Sequence, residues 1–195
     1  MVVASPTEAR ARLFELLRTR SFARRRVILA SGRESDFFID CKQVVLSAEG
    51  HALVGELMLE ALDRVPERPI AVAGVELGGC PLASAVSVVS FLRGKPLDAV
   101  YVRKEAKTHG SGRLLEGNVH LLTGARLAIL EDVVTSGGST LKAAEKLRSA
   151  GYAVADVIAL VDRLEGGREA LEAEGLALHA LYTRTHFMTA PCLSD

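Results

Sequence analysis

The alternation of apolar and polar positions changes period several times along the chain, and each change marks an element. Ser5-Pro6-Thr7-Glu8 forms a capping-box pattern with proline at the first helical position. Leu13, Leu16 and Leu17 then fall on one face, which predicts a helix from about Pro6 to Thr19. Two short strands, RRVIL (25–29) and DFFID (36–40), flank the turn ASGRES (30–35). Apolar residues at three- and four-residue spacing over 47–65 predict a second helix. From there the pattern becomes short apolar runs: PIAVAG (69–74), DAVYVR (98–103), LAILED (127–132), ADVIALVDR (155–163) and LALHALYT (176–183). Helical stretches lie between them, one starting at Pro81, one after the glycines at 137–138 and one over 166–175. The central runs are apolar throughout rather than alternating, as in parallel strands covered on both faces. The expected fold is therefore α/β, with a mainly parallel central sheet flanked by helices and a small N-terminal addition, in a single domain over residues 1–195.

One stretch breaks this rhythm. YVRKEAKTHGSGRLLEGNVHLLTG (101–124) joins two strands without a helical pattern, and such a long connection within a compact domain is usually functional or mobile. It carries Arg103, Lys104, Lys107, His109 and Arg113, with glycines at 110, 112 and 117. Alone, it would read as a solvated basic loop.

Composition narrows the class. With 49% hydrophobic and 25% charged residues the chain is an ordinary globular mix, and 24 basic against 24 acidic residues argue against bulk attraction to nucleic acid. Cys41, Cys80 and Cys192 are odd in number and lie in no metal-ligand spacing, which points to reduced thiols in a cytoplasmic setting. The apolar stretch 81–92 is too short and serine-rich to span a bilayer, and no signal-peptide pattern opens the chain. No nucleic-acid or membrane partner is expected.

The candidate chemistry lies in ILEDVVTSGGST (129–140). Two adjacent acids, Glu131 and Asp132, end an apolar strand, where charge is costly unless something binds. Val133 and Val134 lead into Thr135, Ser136, Gly137, Gly138 and Ser139, whose backbone N–H groups and hydroxyls can wrap a phosphate ahead of a helix N-terminus. Carboxylates followed by a phosphate cradle suit a sugar 5-phosphate. A P-loop, a dinucleotide fingerprint, a zinc-ligand cluster and a nucleophile elbow are all missing.

ILEDVVTSGGST resembles the phosphoribosyl-diphosphate (PRPP) motif of type I phosphoribosyltransferases. SGRESDFFID (31–40) and VRKEAKTHGSGRLLEG (102–117) resemble the orotate phosphoribosyltransferase family in particular, and the three segments occur in that family's order. The resemblance implies transfer of 5-phosphoribosyl from PRPP to orotate, giving orotidine 5′-monophosphate and pyrophosphate, with Mg2+ held mainly through PRPP rather than by a protein ligand set. It implies that Glu131 and Asp132 meet the ribose hydroxyls, that Val133 and Val134 belong to the PRPP-binding segment, and that Thr135 to Ser139 bind the 5-phosphate. Arg103, Lys104, Lys107 and His109 would face the departing pyrophosphate. Phe37, Phe38 and Thr135 would contact the orotate ring, with Arg163 on its carboxylate. A homodimer is also implied, in which the 103–117 loop reaches the neighbouring subunit's site. Adjacent strand residues face opposite ways, so at least one of Phe37 and Phe38 is expected in the core, and Glu165 offers Arg163 a competing ion pair. Two departures stand out: Ala30 and Gly78 occupy positions where many family members have lysine. Lys42 is a nearby cation that could compensate. The alternatives are a PRPP- or nucleotide-sensing regulator and a phosphoribosyltransferase for another base.

Overall fold

The computed structural model describes residues 5–28, 34–105, 114–117 and 120–189. Helix α1 spans Pro6–Arg20 and has the expected capping box, with Ser5 accepting from the Glu8 amide and Glu8 accepting from Ser5. Strands β1 (Phe22–Ile28) and β2 (Glu34–Ile39) pair antiparallel in a two-stranded sheet of their own. Helix α2 (Lys42–Val45), a single turn too short to leave a periodic signal, leads into α3 (Ala48–Leu62), capped by Ser47.

The larger sheet contains β3 (Ala71–Val75), β4 (Asp98–Val102), β5 (Leu115–Glu116), β6 (Arg126–Val134), β7 (Ala153–Asp162) and β8 (Ala177–Thr183). Its order is β5-β4-β3-β6-β7-β8, and every pairing is parallel except the short β4–β5 edge. Helices α4 (Gly79–Leu92), α5 (Gly138–Ser149) and α6 (Gly167–Ala173) connect the strands. A last helix, α7 (Arg184–Thr189), follows β8. Helix α4 begins at Gly79, two residues before the expected proline. Proline lacks only an N–H that the first turn leaves unpaired, so it sits inside the turn rather than ahead of it.

Apolar packing covers both faces of the sheet. Val72, Ala128, Leu130, Ile158 and Leu160 join α1, α3 and α4 on one side, while Ala71, Ala73, Leu127, Ile129, Val157 and Ala159 join α5 and α6 on the other. This strict two-residue alternation explains the unbroken apolar runs: both faces are interior. The small β1–β2 sheet rests on a group of aromatic rings. Phe22 and Phe37 lie 5.1 Å apart by ring centroids, and Phe187 of α7 lies 5.4 Å from Phe22.

The chain moves outward from β3 to β4 and then crosses back to continue with β6, β7 and β8. The loops after β3 and β6 therefore leave neighbouring strands in opposite directions, which opens a crevice at the carboxyl end of the sheet, the usual ligand position in such folds.

Candidate active site

The paired acids fall at the mouth of this crevice, and their strand separates them. Glu131 lies on the α5 side, where its Oε1 accepts from Ser139 Oγ at 2.8 Å and Thr140 Oγ1 at 3.1 Å. Asp132 follows the opposite alternation, toward the loop after β3. Its Oδ1 accepts from the Val133 amide at 2.9 Å. The repulsion that the sequence suggested is therefore reduced by orientation. Burial dominates instead: it pushes Glu131 up to about 7, with the two hydroxyls opposing it. Asp132 is also raised by burial, against the Val133 amide and the charge of Lys42.

Gly78 explains the packing around Asp132. A Cβ at Gly78 would lie 2.2 Å from Asp132 Oδ2, so no side chain fits there unless the carboxylate moves. The position where the resemblance led to an expected lysine is filled here by the Asp132 carboxylate. Lys42, the suggested substitute cation, pairs with Asp40 at 2.6 Å.

The segment after β6 turns sharply into α5. Gly137 has φ 79° and caps the helix, a left-handed conformation that suits glycine. The N-terminus of α6 packs closely behind it: a Cβ on Gly167 would meet the Thr135 carbonyl at 2.4 Å. Thr135, Ser136 and Gly138 stay at or near the surface at the N-terminal end of α5. The Ser139 hydroxyl is already donated to Glu131, which removes it from the cradle in this state. Thr140, absent from the sequence reading, is buried and holds the same carboxylate. Only its place in the first turn of the helix behind the acids hinted at this.

Arg163 follows β7 and is buried. Its NH2 donates to Phe37 O at 3.1 Å and Ser35 Oγ at 3.2 Å, and pairs with Glu165 at 2.9 Å. Its Nε is buried with no partner. The competing ion pair with Glu165 is thus present, and it is buried rather than on the surface. The reading of Phe37 as a ring contact needs correction. Phe37 is 0% exposed, and its ring packs among Phe22 and Phe187. Phe38, on the other face of β2, is half-buried beneath the Arg25 guanidinium at 3.9 Å.

At the end of β4, Arg103 lies 3.9 Å from Glu116 across the β4–β5 edge, and its own Nε is buried without a partner. Lys104 is exposed, and its charge reaches Glu131. Lys107, His109, Arg113 and Ala30 lie outside the described residues. Among the described residues no three His, Cys, Asp or Glu side chains gather into a metal-holding set. No helix among the described residues is long and apolar enough to cross a membrane.

Comparison with known proteins agrees with the crevice and its loops. The phosphoribosyl transferase domain family matches residues 43–173, from α2 to α6, so fold and site define a phosphoribosyltransferase. The orotate phosphoribosyltransferase of Sorangium cellulosum is 68% identical over 185 residues, covering 95% of this chain and 96% of that protein. The corresponding Bradyrhizobium protein is 44% identical over 186 residues, covering 94% of this chain and 100% of its own length. The crystal structure of Mycobacterium tuberculosis H37Rv orotate phosphoribosyltransferase in complex with PRPP superimposes with a TM-score of 0.75 at 35% identity, over 92% of this chain and 99% of that one. The chain belongs to the orotate phosphoribosyltransferase family.

Proposed function

We propose that the chain transfers the 5-phosphoribosyl group of PRPP to orotate, releasing pyrophosphate and forming orotidine 5′-monophosphate for pyrimidine nucleotide synthesis. The observation that carries this reading is the pairing, at one crevice, of the Glu131–Asp132 strand end and its glycine turn with a buried arginine donor at Arg163.

Displacement at the anomeric carbon builds positive charge on the ribose and negative charge on the departing pyrophosphate. Fixed charges therefore matter more than a strong base. Glu131 and Asp132 accept from the two ribose hydroxyls and lie close to the developing oxocarbenium. Thr135 to Ser139 bind the 5-phosphate with backbone amides and hydroxyls at the positive end of α5. Arg163 pairs its planar fork with the orotate carboxylate, and Thr135 borders the base. Arg103 and Lys104, with Lys107 and His109 from the same loop, stabilise the leaving group. Mg2+, bound through PRPP oxygens, would neutralise phosphate charge.

The working form is a homodimer in the cytoplasm, with the 103–117 loop serving the neighbouring subunit's site. The outer face of α4 supports this assembly: Val88, Phe91 and Leu92 are 59%, 71% and 76% exposed. Such an apolar stripe on one helix is unusual on a free surface.

The test is to mix protein, PRPP, Mg2+ and orotate, and follow the loss of orotate absorbance, with Lys107→Ala as control. PRPP-dependent turnover that collapses in the variant supports the enzyme. PRPP binding without turnover on orotate points instead to a sensor or another base.

A further inference from the structure

We propose that Lys146 is a positioning residue for the leaving-group cations, an inference that rests on the transferase reading above. Lys146 sits in the last turn of α5, the helix that starts at the glycine turn. A lysine there normally extends into solvent near its own helix carbonyls. This one instead crosses to the end of β4, where Nζ donates to the Arg103 carbonyl and the Lys104 carbonyl, each at 2.8 Å.

These two bonds complete a set. The Arg103 amide donates to the Leu114 carbonyl at 2.9 Å, and the Lys104 amide donates to Glu76 Oε2 at 2.9 Å. All four backbone polar groups of Arg103 and Lys104 are thus engaged, although both residues lie beyond the last residue of β4. The partners come from three places: α5 behind the glycine turn, the loop after β3, and the start of the β5 edge. A pair of residues past a strand end would ordinarily satisfy its carbonyls with water and sample several conformations. Here an ammonium group bridges the two carbonyls and fixes both peptide planes.

The consequence concerns the side chains. Lys104 contributes to the electrostatics of Glu131, so its charge already lies within reach of the crevice. Arg103 carries an unpartnered buried Nε. Holding their backbone fixes the origin from which both cations reach the departing pyrophosphate. Because Lys146 and the turn at 135–137 belong to one continuous loop-helix unit, the 5-phosphate cradle and the pyrophosphate cations share a common frame. With its Nζ held by these two carbonyls, Lys146 acts through Arg103 and Lys104.

The test compares Lys146→Met and Lys146→Arg in the full chain. In steady-state assays with PRPP, orotate and Mg2+, Lys146→Met should lower kcat at least tenfold, because small misplacements of catalytic groups are costly. KM for orotate should stay within twofold, and Lys146→Arg should recover much of the loss by offering donors to the same carbonyls. Hydrogen exchange at the Arg103 and Lys104 amides, read with and without PRPP, should accelerate several-fold in Lys146→Met while exchange in β7 is unchanged. Unaltered kcat, or a loss that follows a fall in Tm and accelerates exchange throughout the chain, would overturn the proposal. Should the wild-type chain itself prove inactive, the transferase reading fails; unchanged exchange at residues 103–104 in Lys146→Met would then separately refute the clamp.

Discussion

Ser139 gives its hydroxyl hydrogen to Glu131 at 2.8 Å, so a residue at the start of α5 also holds one of the paired acids. Glu131 is nevertheless raised to about 7 by burial. A carboxyl whose folded pKa exceeds its unfolded value opposes folding once it must ionise. Below pH 4.5 both states are protonated and the effect vanishes; between 4.5 and about 7 the unfolded chain ionises first and stability falls; above that window the full penalty remains. The gap corresponds to roughly 3 kcal/mol. Glu131→Gln should therefore melt higher than the wild type at pH 8 and nearly equally at pH 4.5, while its PRPP affinity drops. Calorimetric melting at the two pH values, with PRPP titration at pH 8, checks both halves.

Arg163 presents a second opportunity. Its NH2 is anchored by Ser35, Phe37 and Glu165, which fixes the plane of the guanidinium. Arg163→Lys removes the planar fork, and a charge-assisted bond is worth about 1.5–3 kcal/mol. KM for orotate should rise by about one to two orders of magnitude, with KM for PRPP within twofold. A matched loss for both substrates would count against the carboxylate pairing.

Phe37 should behave as a core residue. Phe37→Ala is expected to cost about 3–5 kcal/mol of stability. Phe37→Leu, which keeps most of the apolar volume, should fold and retain its KM for orotate. Denaturant titration combined with steady-state kinetics on both variants separates packing from base contact.

The exposed face of α4 tests the assembly. Phe91→Asp puts a charge at the centre of the apolar stripe and should shift the chain toward monomer in sedimentation velocity, with turnover falling in parallel. A dimer that survives this change uses another surface.

Much of this architecture was legible in the sequence because period and capping are local. The Ser5–Glu8 box fixed the start of α1, and unbroken apolar runs at 69–74, 127–132 and 155–163 fell on β3, β6 and β7. The turn at 135–139 was visible because its residue types have few uses in a core. What escaped was non-local. Lys146 looks like any lysine at a helix end until α5 is set beside β4, and Thr140 like any helical threonine until β6 turns Glu131 toward it. The alternation of a two-residue period warned that Phe37 and Phe38 diverge, but which of them enters the core depends on α7, a helix with no signal of its own.

Gly78 and Asp132 also constrain how this lineage can change. A β-carbon at position 78 would fall 2.2 Å from the Asp132 carboxylate. The two sites are thus not independent, since residues in direct contact do not contribute additively. A side chain introduced at position 78 would first have to displace the Asp132 carboxylate, whatever benefit an added charge offers. A larger residue at position 78 therefore needs the Asp132 carboxylate to take another rotamer or the loop to shift, so the two positions can change only together.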